Sequence, residues 1–382
     1  MDGIYFDNAA TSFPKPPEVA AQIHHFLVNI GTNINRGLYD LSYSTADTVQ
    51  ETRELLGNLF HYPHSQNIIF TKNITEGLNV IIKGLLQPGD HVLISALEHN
   101  AIIRPLHSMQ KKGITIDQIP CSPQGSLAIA DVQNLIQTKT KAIMMTHASN
   151  VCGTILPLQE IGRLCQEKNI FFIIDTAQTA GFLDLDFREL GASALTFTGH
   201  KGLLGPMGIG GFVITEQLAQ SITPLIEGGT GSLSEQEIQP QYLPDKFEAG
   251  TLNIPAIYGL NAALKYLLPK NIKTIREMEL SLTGYFLQNV KNIAGIEIIG
   301  SEETRKKTPI VSLNFPNRDN AEIAYLLAKD YQIMTRCGLH CAPSAHKALG
   351  TFPQGTVRFS FSHFNTKKEI NFALDALNKI LL

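Results

Sequence analysis

From residue 66 onward the chain alternates short uninterrupted apolar runs with segments whose apolar residues return at helical spacing. NIIFT at 67–71, HVLIS at 91–95, AIMMT at 142–146, FFIID at 171–175 and ALTFT at 194–198 are rich in β-branched and aliphatic residues and predict strands. Between them, TEGLNVIIKGLL at 75–86 and LQEIGRLCQEKN at 158–169 predict helices. Strands that are apolar throughout are buried on both faces. The alternation therefore implies a largely parallel sheet covered by helices, with ligands at the carboxyl ends of the strands. The pattern changes after FEAGTLNIPAIYG at 247–259. A long helical stretch over roughly 256–290 leads into PIVSLNF at 309–315, a helix around 320–329, VRFSF at 357–361 and an amphipathic helix at 367–381. This predicts an α/β fold with a large domain over 14–255 and a smaller α+β domain formed by 256–382 together with 1–13, where IYF at 4–6 reads as a short strand.

Composition removes several classes of function. With 382 residues, 43% of them hydrophobic and 17% charged, the chain has enough apolar material for these cores and is neither disordered nor a charged scaffold. A formal net charge of -3 provides no field to gather nucleic acid, and none is expected as a partner. The five cysteines, at 121, 152, 165, 337 and 341, lack the dense even spacing of a disulfide framework and point to a reducing compartment. The start MDGIYFDNAATSFPKP has no apolar stretch of the signal-peptide kind, and no apolar run reaches the ~20 residues that span a bilayer. A cytoplasmic protein without membrane contact is expected, and no metal site is assigned.

Two loops carry the candidate chemistry. FFIIDTAQTAG ends a buried strand in Asp175, a carboxylate that needs a cationic or hydrogen-bonding partner if it stays buried. Taken alone it equally suits a helix cap or a loop anchor. TFTGHKGLLGPMGIGGFV at 196–213 ends the next strand at Thr198 and places Lys201 in a glycine-dense loop with no neighbouring acid. A loop lysine is ordinarily solvated. Buried in this setting, it loses proton affinity and becomes an amine competent to react with an aldehyde. An aldehyde cofactor with a pyridine nitrogen and a phosphate, pyridoxal 5′-phosphate, accounts for both residues: Lys201 forms the Schiff base and Asp175 keeps the ring nitrogen protonated. FTKNITEGLN at 70–79 passes from strand to helix, so the amides around Ile74 and Thr75 and the Thr75 hydroxyl can face the phosphate, although Thr75 also suits a plain N-cap. His99, after another strand, either covers a ring face and moves protons or is a core histidine satisfied by a carbonyl.

Taken in order, YFDNAATS at 5–12, NRGLYDLS at 35–42, FTKNITEGLN at 70–79, EHNAIIRP at 98–105, HASNVCGTILP at 147–157, IIDTAQTAG at 173–181, TGHKGLLGPMGIGG at 198–211, EAGTLN at 248–253, RCGLHCAP at 336–343 and VRFSFSHFNT at 357–366 resemble the cysteine desulfurases. These belong to the class V aminotransferase superfamily of fold-type I pyridoxal-phosphate enzymes. The resemblance implies a mainly parallel seven-stranded sheet in the large domain. It gives Lys201 the Schiff-base role, Asp175 the ring nitrogen and His99 the stacking position. Gln178 donates to the cofactor's phenolic oxygen, and Thr75, Thr198 and His200 hold its phosphate. Thr251 matches a threonine that completes the phosphate site of the neighbouring subunit, which implies a homodimer with composite sites. Arg358 resembles the arginine that grips the substrate α-carboxylate, a role suited to its planar fork, though alone it reads as a salt bridge of the small domain. Asn150 lies beside cofactor and substrate, Asn8, Ala9 and Ala10 form a narrow wall, and Arg36 lies in a loop lining the site.

Cys341 separates the reaction types. A buried cysteine is ordinarily inert, yet RCGLHCAP sets Cys341 after His340 in a loop of small residues, where an imidazole or arginine can favour its thiolate. The family's sulfur-accepting cysteine aligns with it. The expected reaction converts L-cysteine to L-alanine, leaves a persulfide on Cys341 and passes sulfur on to an acceptor protein, with iron–sulfur cluster assembly as the leading destination. Two features depart from the commonest pattern. Cys337 stands where threonine is common and reads as a resolving thiol, an oxidation liability or, preferably, a bystander. The short loop resembles the compact-loop subgroup, which includes selenocysteine lyase-like members and often needs a dedicated acceptor. Selenocysteine lyase, cysteine sulfinate desulfinase and aminotransferase remain alternatives on the same scaffold. A retired binding protein is disfavoured by the presence of Lys201 and Asp175. A nicotinamide enzyme is disfavoured because the glycines do not form the strand, GxGxxG and helix arrangement.

Overall fold

A computed structural model describes residues 3–34 and 37–382. The larger sheet holds the strands β2 (Ile68–Thr71), β3 (His91–Ser95), β4 (Thr115–Ile119), β5 (Thr140–Thr146), β6 (Phe171–Asp175), β7 (Ala194–Thr198) and β8 (Gly210–Ile214), in the order β2-β8-β7-β6-β5-β3-β4. The pairs joining β3, β4, β5, β6 and β7 are parallel, whereas β8 runs antiparallel to both β2 and β7. Side chains alternate across the sheet. Ile143, Met145, Phe172 and Ile174 enter one apolar cluster with the helices Asp40–Leu59, Leu158–Lys168 and Ile254–Lys270. Met144, Ile173 and Ile94 enter the other, beneath the helices Ile74–Leu85 and Asn100–Gln110. This two-sided burial is what makes the strands apolar throughout. The sequence pattern misses two strands. β4, TIDQI, lies at the sheet edge and is mostly polar, and β8 begins with two glycines inside the loop-like tract after Lys201.

A second sheet has the order β12 (Arg336–Gly338), β13 (Thr356–Ser360), β10 (Ile310–Asn314), β9 (Glu297–Ile299) and is antiparallel throughout. It is packed by Leu282, Phe286, Phe359, Ile370 and Leu377 into a third apolar cluster. The N-terminal strand β1 (Ile4–Tyr5) pairs in parallel with β11 (Ile333–Met334), and Asp7 bridges to Ser360, so the chain start belongs to this second unit. The stretch predicted as one helix over 256–290 is two, Ile254–Lys270 and Ile272–Val290, broken at Asn271, whose φ is 62°. Its first half packs with the large-sheet core and its second half turns into the third cluster.

Candidate active site

β2, β3, β5, β6 and β7 all present their carboxyl ends along one edge, and the loops leaving that edge carry the predicted residues. Asp175 ends β6, while Lys201 follows β7 by three residues. Two glycines bring these loops together. A Cβ on Gly181, whose φ is 83°, would collide with the Gly202 carbonyl, and one on Gly202 would collide with the Ala180 carbonyl, so backbone rests on backbone there. Asp175 is buried and accepts the Ala177 amide at 2.8 Å. Burial raises its pKa, opposed by that hydrogen bond and by the charge of Lys201. Burial likewise lowers the Lys201 ammonium to about 8, with Asp175 opposing the shift and Arg358 and Arg336 adding to it. The amine is thus poised near neutrality beside its natural counter-charge.

His99 is the N-cap of the helix Asn100–Gln110 and accepts the Ala101 amide on Nδ1 at 3.1 Å. That bond leaves the ring proton on Nε2. Burial, with Lys201, Arg336, Arg358 and Arg104 nearby, lowers His99 to about 4, so the ring is neutral at pH 7. On the phosphate side, Asn73 and not Thr75 caps the helix Ile74–Leu85, its side chain accepting the Glu76 amide at 3.0 Å. The Ile74 and Thr75 amides belong to the first turn, where a helix has no internal acceptors. Gly210, register partner of Thr198, abuts this turn: a Cβ there would stand 2.8 Å from the Ile74 amide nitrogen. Thr198 Oγ1 and His200 Nδ1 are buried and have no hydrogen-bond partner among the described residues. Buried polar atoms are rarely left so, and these orphaned atoms, Thr198 Oγ1 lying on the strand next to the helix N-terminus, fit a phosphate-bearing ligand. The Lys201 amine and the Asp175 carboxylate fit the aldehyde and ring nitrogen of pyridoxal phosphate. Gln178 Nε2 donates to the Ala9 carbonyl at 3.1 Å and lines a cavity with Lys201, Asn8 and Ala9.

On the substrate side, Arg358 on β13 is 2% exposed and donates Nη1 to the Asn150 carbonyl at 2.9 Å and Nη2 to Asp7 Oδ1 at 3.0 Å. The salt bridge that its sequence context allows is therefore present, while Nε has no partner among the described residues. Asn150 in turn donates Nδ2 to the His340 carbonyl at 2.7 Å, and Asn100 donates its amide to the Cys341 carbonyl at 2.8 Å. The loop is thus tied at two successive residues, with His340 and Cys341 at φ of 48° and 57°, and Cys341 is exposed. His340 does not supply the positive charge its position suggests. Burial, reinforced by Arg358, lowers it to about 2, and its Nε2 lies 3.1 Å from the Thr356 hydroxyl. Cys337 is half-buried against the third apolar cluster, where burial pushes its thiol up, in keeping with a bystander. Asn8 is absorbed by the fold: its Nδ2 donates to the Ser360 carbonyl at 3.0 Å and its Oδ1 accepts the Phe13 amide at 3.2 Å.

One predicted residue is not brought to Lys201 within the chain: Thr251 is exposed and lines a surface cleft with Lys72, Glu76 and Asn253. Arg36 lies outside the described residues. Sequence reasoning also missed two carboxylates at this edge: Asp7, the partner of Arg358, and Glu98, buried directly before His99. Glu98 carried the same signal as Asp175, an acid at the exit of an apolar strand.

A model of the aminotransferase class-V family matches residues 4–372. A protein of Methanothermobacter thermautotrophicus named "Probable cysteine desulfurase" is 32% identical over 383 residues, covering 99% of this chain and 95% of that one. Among solved structures, the apo cysteine desulfurase of Thermococcus onnurineus is similar with a TM-score of 0.93 at 30% identity, over 99% of this chain and 94% of that one. A cysteine desulfurase of Escherichia coli, solved as an S-sulfonic acid, is similar with a TM-score of 0.90 at 27% identity, over 99% of this chain and 94% of that one.

Proposed function

The chain belongs to the cysteine desulfurase family of class-V aminotransferases, and from that membership and the site we propose that it converts L-cysteine to L-alanine with pyridoxal 5′-phosphate, passing sulfur to Cys341 as a persulfide. The observation that carries the reading is the placement of Cys341, exposed yet fixed by the Asn100 amide at 2.8 Å, one residue from His99.

Bound here, pyridoxal phosphate supplies an electron-accepting ring that makes the bonds of an amino acid's α-carbon labile. The chain supplies the rest. Lys201 would hold the cofactor through Nζ and, as a free amine near 8, move a proton at the substrate α-carbon. Asp175 would keep a proton on the ring nitrogen, and Gln178 would serve the phenolic oxygen. Thr75, Thr198, His200 and the Ile74 amide would hold the phosphate. His99, with its proton on Nε2, would serve the ring. Arg358 grips the substrate carboxylate through the edge that Asp7 leaves free, Asn150 orients it, and Asn8 with Ala9 forms the wall beside the amino acid. The Cβ–S bond of L-cysteine breaks and an S–S bond forms at Cys341 Sγ. One cysteine and one thiol give one alanine and one persulfide, so atoms and electrons balance without an outside oxidant.

The reading extends to the assembly. Thr251 serves the phosphate site of a second copy, which makes the working unit a homodimer, and an acceptor protein then takes the sulfur from Cys341, with iron–sulfur cluster assembly as its leading destination. The segment 14–255 supplies the cofactor residues, while 1–13 and 256–382 supply Asn8, Ala9, Arg358 and Cys341. Among the described residues no helix is long and apolar enough to cross a membrane, and a cytoplasmic site of action is part of the proposal.

The test is product analysis of the loaded protein with L-cysteine, L-selenocysteine and L-cysteine sulfinate. Alanine from L-cysteine in step with enzyme-bound and released sulfur supports the reading. Alanine from the selenium or sulfinate substrate alone would replace it with a lyase of those compounds, and 3-mercaptopyruvate in place of alanine, formed from L-cysteine only when a 2-oxo acid is supplied to take the amino group, would make the chain an aminotransferase.

A further inference from the structure

Beneath the site edge lies a carboxyl group that the reaction above leaves unused. Glu98 is 0% exposed and sits in the loop between β3 and the helix Asn100–Gln110, immediately before His99. Its Oε1 accepts the Ser95 hydroxyl at 2.5 Å, and both its oxygens lie 3.0 Å from the Thr146 amide. Ser95 ends β3 and Thr146 ends β5, so one carboxyl clamps two neighbouring strand tips together. Thr146 is also the register partner of Asp175, and the next amide, that of His147, bonds the Asp175 carbonyl at 2.8 Å. Two hydrogen bonds joined by the Thr146–His147 peptide link therefore connect the residue before His99 to Asp175.

The backbone makes the clamp effective. His99 has extended geometry, φ -76° and ψ 154°, so neighbouring side chains leave on opposite sides: Glu98 turns under the edge and His99 turns toward the site. Among the described residues no cation bonds Glu98, and keeping a carboxyl buried on these terms is costly unless its hydrogen bonds matter. Burial and the nearby charge of Asp175 push it up to about 8, so at neutral pH it adds little negative charge beside Asp175.

We propose that Glu98 is a positioning residue, which sets where His99 stands relative to Asp175 by clamping the exit of β3 to the tip of β5. The inference rests on the cofactor assignment above. Two variants test it, each loaded with pyridoxal phosphate and read by the pH midpoint of its visible absorption and by kcat and KM for L-cysteine. Glu98→Ala is expected to shift the midpoint and to lower kcat by about 100-fold with KM little changed, the scale of a misplaced site group. Glu98→Gln keeps an oxygen for the Thr146 amide and a donor for Ser95 Oγ, and is expected to restore the midpoint and most of kcat. A wild-type midpoint in Glu98→Ala, with only its thermal stability reduced, would overturn the proposal. So would a Glu98→Gln as defective as Glu98→Ala, since charge and not the hydrogen bonds would then be acting. Should Glu98→Ala fail to fold, Ser95→Ala loosens the same carboxyl: a midpoint shift in it supports the proposal, and wild-type values in both readouts overturn it. Absence of cysteine turnover in the wild type would sink the desulfurase reading alone, because the absorption comparison needs no substrate.

Discussion

Lys201 and Asp175 oppose each other's ionisation shifts: burial drives the ammonium down and the carboxyl up, and each charge pulls the other back. The sign gives a direct expectation for the cofactor-free protein. Only the uncharged amine reacts with an aldehyde, so the rate of pyridoxal phosphate uptake should rise with pH and reach half its plateau near about 8. Stopped-flow absorbance checks this, and a half-rise near the ordinary lysine value of 10.5 would place Lys201 in solvent. Removing the opposing charge gives a second expectation. Asp175→Asn should retain the fold and lower turnover by about 100- to 1,000-fold, the magnitude of one lost electrostatic stabiliser. Steady-state kinetics with L-cysteine measures it. Both residues were legible in the sequence because their signals are local: an acid ending an apolar strand and a lysine inside glycines. Arg358 was half legible. Its motif suggested carboxylate binding, but its actual partner Asp7 lies 351 residues away, a pairing that no local pattern carries.

Among the elements, β8 joins the sheet to the phosphate site, because Gly210 brings β7 and the start of the helix Ile74–Leu85 into backbone contact. Gly210→Ala would put a methyl group 2.8 Å from the Ile74 amide nitrogen and equally close to the Phe197 carbonyl. The expected outcome is a loss of about 1–3 kcal/mol of stability, as for an overpacked core, together with weaker cofactor retention. Thermal unfolding and equilibrium dialysis of the cofactor check the two effects. The element that matters most here was the one least readable, since β8 opens on glycines that read as loop and becomes a strand only through its neighbours β2 and β7. The inner parallel strands β3, β5, β6 and β7 were read nearly to the residue because burial on both faces writes an unbroken apolar run. The break at Asn271 was invisible for the opposite reason: both flanking helices carry helical periodicity, and only the positive φ of Asn271 and the passage of the second helix from the first cluster, at Ile272 and Ile275, into the third separate them.

At the scale of the molecule, exposed apolar residues gather in two segments, Leu27, Val28, Leu41 and Tyr43 near the start and Leu225, Ile226, Ile238 and Tyr242 ahead of Thr251. Surfaces of this kind mark association, in keeping with the proposed homodimer in which Thr251 would serve a second copy. A composite site has a specific consequence. Lys201→Ala and Thr251→Ala should each impair cofactor-dependent turnover alone, whereas refolding the two together should restore one intact site per mixed dimer. Turnover of the mixture, compared with the sum of the separate variants, checks it, and simple additivity would place Thr251 outside the site. Such a proposed interface is beyond the reach of one chain's hydrophobic pattern, because Thr251 is exposed within the single chain. Whether Cys341 receives the sulfur is decided by one turnover of the loaded protein with L-cysteine followed by mass spectrometry of every cysteine. Stoichiometric alanine with a persulfide on Cys341 and none on Cys337 is expected, and in Cys341→Ala no persulfide despite an unchanged cofactor spectrum; alanine formed at full stoichiometry with Cys341 unmodified would rule out Cys341 as the sulfur acceptor.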